Sequence, residues 1–555
     1  LDLSKKRSFL ILIIIILMQV AVIFYWGGRK ANFYWDEYYS FEKTHFISDS
    51  TSYTHRITED GRFVPNTWMP VSLIKEFLSV NPEDSVIHDN PLSTIRKLFK
   101  YNNYFVLLNI FEALFFPRET TAWAAVILNA IIFVLNQLVL YKLVKEMFKE
   151  QTVLPLAVTA FYGFSSICLS MVVFVRFYMY ATLMNTIFVY FHLKFWKLDE
   201  TSLIRSLVYL LVIALSFLVG YNNAQFMAIF AGMFMVFFAI GLIIKKGIKN
   251  FLIYSVPVFG GGFVYLATQT DYLSIVFDFQ SALHGTNDAI IWCLEQIVDF
   301  RPYMLPGRVK DMALALGKYM FGSFFVMLLF STVVICALII KAVKGEIGKR
   351  SALNNSKDDS VGGFFAIVFV STFLFMAFFT TFGLFEQIRY IAYVFPEIAI
   401  IVMVLCAYAL DNKNMQFKLS FLKNRNLTVL AMLFLVVMQI LAVNIKGKVD
   451  MIYPKDKDGI AKIRSLNADS MIIYGGATRE FIVYQASLFV DKNAEFFPCD
   501  EGNLENLEET LRDEMMLVEY VGADHKELTD MLEKNGYTMD YVGSTYNFNA
   551  YQVRR

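Results

Sequence analysis

A run of about 20 apolar residues is long enough to cross the hydrocarbon core of a bilayer as a helix, and this chain holds about eleven such runs. They lie near 9–26, 121–140, 153–174, 177–196, 203–219, 224–244, 251–268, 318–341, 362–383, 390–410 and 428–446. Backbone in lipid must satisfy its own hydrogen bonds, so runs of this length predict a bundle of helices rather than any open sheet. Composition agrees: of 555 residues 57% are hydrophobic and only 18% charged, too apolar for a soluble globular or a disordered chain. The fold class expected is an α-helical polytopic membrane protein.

The links between runs alternate in character. Lys142/Lys145/Lys149, Lys194/Lys197/Arg205, Lys245/Lys246/Lys249, Lys341/Lys344/Lys349/Arg350 and Lys413/Lys418/Lys423/Arg425 form short basic links. Lys5, Lys6 and Arg7 precede the first run. The positive-inside rule places all of these, with the N-terminus, in the cytoplasm. The loop 27–120, the loop 269–317 and the part after 446 then fall outside. The first run has the charged start of a signal peptide, but no small-residue cleavage site precedes Trp26-Gly27-Gly28, so it reads as a retained span. A multi-pass plasma-membrane protein with an extracytoplasmic C-terminal domain is the expectation, divided as 1–446 and 447–555. The net charge of +1 and the lack of a basic stripe point away from nucleic acid as a partner.

Within loop 27–120, two segments read as amphipathic helices on the outer membrane surface. Thr67–Val80 gathers Pro70, Leu73, Ile74, Phe77 and Leu78 on one side, with Lys75 and Glu76 opposite. Pro91–Phe116 starts basic and grows apolar; counting it as a span would invert every later loop, so it reads as a surface helix. Loop 269–317 carries His284, Asp288, Glu295, Asp299, Arg301 and Arg308 and has room for one or two short helices. Pro257 and Gly260-Gly261-Gly262 predict a kink or close packing in the seventh run. After about 455 the pattern becomes a small α/β domain. Strands are expected at Ser470–Tyr474, Met515–Val521, Thr538–Val542 and Phe548–Val553, and helices at Glu505–Arg512 and Lys526–Asn535. Gly475-Gly476 lacks the third glycine of a phosphate loop and reads as a turn. Of the five cysteines, Cys168, Cys336 and Cys406 read as core packing, and Cys293 and Cys499 as a free pair outside.

The stretch Phe33-Tyr34-Trp35-Asp36-Glu37-Tyr38-Tyr39-Ser40 follows the first span, where the chain re-enters water. Aromatic rings are favoured at headgroup level, whereas acids there need water, a partner or a task. A solvated loop acid is the ordinary reading. The functional one makes Asp36 a general base, with burial among aromatics raising its pKa and Glu37 turned to a helix cap or a metal. Arg176 with Tyr178, and Arg389 with Tyr390, lie at outer ends of spans. A lone arginine there commonly snorkels to headgroups, while two beside an acid favour an anionic, phosphate-bearing ligand. In His88-Asp89-Asn90-Pro91-Leu92, Asp89 or Asn90 caps the next helix with Pro91 at its first position. A divalent metal held by Glu37 with His88 or Asp89 is the other option that the residues leave open.

Asp36-Glu37-x-x-Ser40, the Asn90-Pro91-Leu92 turn, Arg176-x-Tyr178 and Arg389-Tyr390 come in an order that resembles the GT-C superfamily of membrane glycosyltransferases. The likeness is to the protein O-mannosyltransferase and aminoarabinose transferase branch, over roughly the first 410 residues. That resemblance implies transfer of a sugar from a polyprenyl-phosphate carrier to an acceptor on the outer face, with inversion. It implies Asp36 as the base and Arg176 and Arg389 as holders of the carrier phosphate. The chain departs from the pattern twice. Many relatives have His or Lys before a Pro-Pro-Leu turn, where Asp89-Asn90 stands here, and a His-Tyr pair where this chain has Gly220-Tyr221-Asn222-Asn223. Both changes remove ligands for a metal or a phosphate. A lipid-linked sugar flippase, a polysaccharide polymerase or ligase, and a protein that only binds lipid-linked sugar are the competing readings. Transporters, however, place ionisable or helix-breaking residues near mid-bilayer, and this chain places them at the rim.

Overall fold

A computed structural model describes residues 3–45, 62–100, 102–149, 151–198, 203–268, 295–345, 360–385, 387–410, 424–475, 479–500, 502, 504–523 and 525–555. By contact the chain divides into two units. One comprises Leu1–Ala21, Ile131–Met171 and Tyr178–Val449; the other comprises Val22–Ala130, Val172–Phe177 and Asp450–Arg555. The last cut, between Val449 and Asp450, lies beside the expected boundary at 446, and Val22–Ala130 joins the C-terminal part. The first outer stretch groups with the C-terminal part because it contributes a strand to the same sheet.

The first unit is helical. Among the described residues, eight helices are long and apolar enough to cross a membrane, or nine if a bent pair counts as one span. The expected number of about eleven is not confirmed among the described residues. The runs near 224–244 and 251–268 are the two arms of Met227–Thr268, which breaks between them where Gly247 takes φ 77° and ψ 176°. Pro257 lies inside the second arm. The run 153–174 is the bent pair Val153–Gly163 and Ser166–Val173, at 56°. Its second half is capped by Ser165 Oγ, which accepts the Cys168 N–H at 3.3 Å. The run 177–196 is a 20-residue helix, Tyr178–Lys197, carrying Asn185, His192, Lys194 and Lys197.

Side-chain amides join these helices where lipid would leave them unsatisfied. Gln19 Nε2 donates to Thr159 O at 3.0 Å, and Gln137 Nε2 to Gln19 Oε1 at 3.2 Å. Asn185 Nδ2 donates to Tyr393 O at 3.0 Å and Glu397 Oε1 at 3.2 Å. Several lysines of the basic links cap helix ends, as Lys145 does on the carbonyls of Lys149 and Gln151. Within the loop after 269, residues Leu305–Tyr319 form a helix, and Arg308 Nη1 donates to Thr381 O at 2.7 Å. His284, Asp288 and Cys293 lie outside the described residues. Cys168 and Cys406 are buried as expected, but Cys336 is exposed on its helix and is not core packing.

The second unit is built on a six-stranded sheet in the order β1-β3-β2-β4-β6-β5. The strands are β1 (Met69–Pro70), β2 (Ser470–Tyr474), β3 (Glu495–Cys499), β4 (Glu514–Tyr520), β5 (Thr538–Ser544) and β6 (Phe548–Arg554). β3, β2 and β4 run parallel, with Met471 opposite Phe496 on one side and Met516 on the other. β2 is buried along its whole length, which is why it reads as an unbroken apolar run. β5 is an edge strand and exposes Thr538, Asp540 and Tyr541. Leu528, Met531 and Leu532 of the helix Lys526–Lys534 close the core over Ile472, Leu517 and Val553. The helix Asp456–Ser465 approaches the β5 backbone so closely that a Cβ on Gly459 would meet Ser544 O at 2.0 Å.

The four expected strands and two expected helices of this domain are present, the helix after 505 shorter, at Glu505–Glu509. Strands β1 and β3 and the helices Asp456–Ser465 and Glu480–Ser487 are additional. The expected surface helix over Thr67–Val80 is a shorter one, Val71–Phe77, after the two residues of β1 that pair with β3. Val71, Ile74 and Phe77 are buried, and Lys75 Nζ donates to Val490 O at 2.6 Å. That apolar face is occupied by protein, for the helix packs on Glu480–Ser487. The expected helix over Pro91–Phe116 is two helices, Pro91–Lys100 and Asn103–Phe115, the second too short for a span. Cys499 is buried in β3 and free.

Candidate active site

The helix Trp35–His45 places Asp36 and Glu37 in its first turn, next to each other in sequence and opposite in fate. Glu37 is fully buried. Its Oε2 accepts the Tyr34 N–H at 2.7 Å, the return arm of a capping box, and the Lys30 ammonium at 2.9 Å. Its Oε1 accepts the Val175 N–H at 2.7 Å, from a segment 138 residues away. Burial pushes the Glu37 carboxyl above the ordinary carboxylate range, opposed by the Lys30 charge and the two backbone N–H groups. Burial likewise lowers the Lys30 ammonium, opposed by Glu37.

The partner segment is shaped for this contact. Arg176 N–H donates back to Phe174 O at 2.7 Å, a tight turn centred on Val175 that frees the Val175 N–H to point at Glu37. Asn129 Nδ2 fastens the same turn through Phe174 O at 2.9 Å and Val172 O at 3.3 Å. Tyr34 meets Phe174 edge-on at 6.2 Å between ring centroids.

Arg176 follows directly and turns to the other acid. Its Nη1 donates to the Asp36 backbone carbonyl at 3.1 Å and to Ser40 Oγ at 3.2 Å. Its guanidinium lies 5.0 Å from the centroid of the Phe177 ring. Arg176 Nε is out of water and has no hydrogen-bond partner among the described residues. Asp36 itself is half-buried. Lys43, two turns along the same helix, adds a second cation. Loss of water and the Arg176 charge lower its pKa, against the pull of Glu42 and Asp36. The stretch thus holds an acid that reaches water, a guanidinium with a spare donor, a hydroxyl and an ammonium.

His88, Asp89 and Asn90 make local contacts of their own. His88 is exposed at the end of a short 3-10 turn. Asp89 pairs with Lys97 at 2.7 Å, and Asn90 Oδ1 caps the helix by accepting the Ser93 N–H at 2.8 Å. The capping reading holds for Asn90. Of the residues considered for a metal, Glu37 is engaged by Lys30 and two N–H groups, and Asp89 by Lys97. No three His, Cys, Asp or Glu side chains gather as a metal site among the described residues. Tyr178, Arg389 and Tyr390 belong to the helical unit. Tyr178 is buried at the start of its helix. Arg389 is nearly buried in the 3-10 segment Ile388–Val394, its guanidinium 5.4 Å from the Tyr390 ring, which lies 5.4 Å from Phe226.

Sequence reasoning missed Lys30, Lys43 and Asn129. A signal for Lys30 existed: Arg29 and Lys30 stand on the side that the positive-inside rule leaves poor in cations. A lysine there needed a counter-ion, and Glu37 is seven residues on.

No family model and no curated protein matches the chain. Among solved structures it is similar to ArnT from Cupriavidus metallidurans bound to undecaprenyl phosphate, at 10% identity and TM-score 0.47, over 97% of each chain. It is also similar to the Archaeoglobus fulgidus oligosaccharyltransferase in the apo form, at 10% identity and TM-score 0.45, over 98% of this chain and 74% of that one. The same enzyme in complex with Zn and sulfate aligns at 13% identity and TM-score 0.43, over 97% of this chain and 73% of that one. Both neighbours are GT-C membrane glycosyltransferases, the group that the sequence motifs resemble. At these TM-scores the likeness carries no argument about what this chain does.

Proposed function

We propose that this protein is a membrane glycosyltransferase that moves a sugar from a polyprenyl-phosphate carrier to an acceptor hydroxyl on the extracytoplasmic face. The observation that carries the reading is the orphan Nε of Arg176, held beside Asp36 with no partner among the described residues. A buried donor left unsatisfied costs free energy, and a phosphate oxygen is the partner that a guanidinium suits best.

The reaction is a single in-line displacement at the anomeric carbon. The acceptor oxygen forms the new bond as the bond to the carrier phosphate oxygen breaks. Asp36 takes the acceptor proton, and Arg176 offsets the charge gathering on the departing lipid phosphate. Direct displacement inverts the anomeric centre. The sequence motif gives Arg389 a phosphate-binding role as well, a separate proposal that rests on the motif alone. The alternation of basic links supports an N-terminus in the cytoplasm and a C-terminal domain outside.

The test incubates purified protein in lipid with a panel of radiolabelled polyprenyl-phosphate sugars. Asp36→Asn should lower sugar release by about 10²–10⁴-fold. Equal release by variant and parent would remove Asp36 from the chemistry. Movement of carrier across the bilayer with no sugar released would favour a flippase instead.

A further inference from the structure

We propose that the buried Glu37 side chain, through its Oε1, is the positioning device for Arg176, and that its partner Lys30 ties this device to the linker ahead of the C-terminal domain. The inference rests on the phosphate-binding reading of Arg176.

Two adjacent residues on one segment meet two adjacent residues on another. Glu37 Oε1 holds the Val175 N–H, and the next residue, Arg176, reaches back to the carbonyl of Asp36, the residue before Glu37. With Val175 fixed at 2.7 Å, the Arg176 backbone has little freedom, and its guanidinium closes over the first turn of the Asp36 helix. Lys30 sets its ammonium against the buried Glu37 carboxyl, and that ammonium also donates to Met451 O. The neighbours of Lys30 extend this contact along the linker to the sheet. Ala31 N–H donates to Ile452 O at 2.8 Å, and Asn32 Nδ2 to Asp456 Oδ2 at 2.6 Å. The same Asp456 oxygen accepts the Tyr546 N–H at 3.0 Å, from the turn between β5 and β6.

That linker holds unfavourable backbone: Met451 has φ 65° and Tyr453 φ 47°. Non-glycine residues stay in such conformations only where the surroundings over-determine them. Here the Lys30–Asn32 strip does so. A solvent-exposed salt bridge would need none of this. A pair that joins segments near residues 30, 37, 175 and 451 is built to set geometry.

The experiment measures undecaprenyl-phosphate binding and thermal melting of the full chain in nanodiscs. Lys30→Met/Glu37→Gln removes both charges but keeps an oxygen for Val175. Lys30→Met/Glu37→Leu removes the oxygen as well. Positioning predicts that the glutamine variant binds like the parent, and that the leucine variant binds about tenfold more weakly. In an Arg176→Ala background the leucine variant should cause no further loss, because both changes remove one interaction. Equal affinity for the glutamine and leucine variants, or full additivity with Arg176→Ala, would overturn the inference. If the leucine variant does not fold, Glu37→Asp serves, since its shorter arm keeps the charge and withdraws the oxygen. Affinity equal to the parent would then contradict positioning. Arg176→Ala binding as well as the parent would instead defeat the phosphate reading itself.

Discussion

Two helix starts in the sheet-bearing unit, each with an acid at or just before it, are held in opposite ways. At Pro91–Lys100, Asn90 accepts a hydrogen bond from three residues on, and Asp89 pairs with Lys97 eight residues on. Everything there is local, and the ion pair is partly exposed. At Trp35–His45, Glu37 is fully buried, and its carboxyl and the Asp36 backbone carbonyl take partners 138 and 140 residues away in sequence. The lysine on Glu37 is itself tied to a carbonyl 421 residues from it. Residue type is nearly the same at both termini. Long-range partners and loss of water separate a site from a cap.

The comparison breaks first at Glu37. Glu37→Ala leaves the buried Lys30 without its counter-ion, holding only the Met451 carbonyl, and should cost about 3–5 kcal/mol of stability. Chemical denaturation in detergent measures it; a loss under ~1 kcal/mol, the range of exposed pairs, would make this pair ordinary. Asn90→Ala sharpens the other side. Loss of one cap bond should cost about 1 kcal/mol and leave lipid-phosphate binding untouched. Weaker binding in that variant would return the His88–Asn90 knot to the candidate site.

Much of the architecture was legible because its signals are local. Apolar run length marks helices wherever lipid must be crossed, and β2 and β4 read as strands because both faces are covered. The strand β3, Glu495–Cys499, escaped notice because Pro498 interrupts a short run, and β1 because two residues carry no periodicity. The number of spans was harder. The break at Gly247 falls at a basic link that the sequence shows, whereas the serine-capped bend at Ser165 changes helix continuity within an apolar run. For the site, Asp36, Glu37 and Arg176 stood out by type and by place at span ends. Their division of labour did not, since it depends on the turn at Val175 and on Lys30, whose contacts span most of the chain. The partners of Glu37, an ammonium and two backbone N–H groups, are likewise not visible from spacing.

A structure determined with undecaprenyl phosphate bound tests the central claim most directly. The account predicts a phosphate oxygen about 2.7–3.2 Å from Arg176 Nε, with the Asp36 carboxylate facing the same space. A phosphate seated elsewhere, with Arg176 Nε as it is now and Asp36 turned to bulk water, would contradict it.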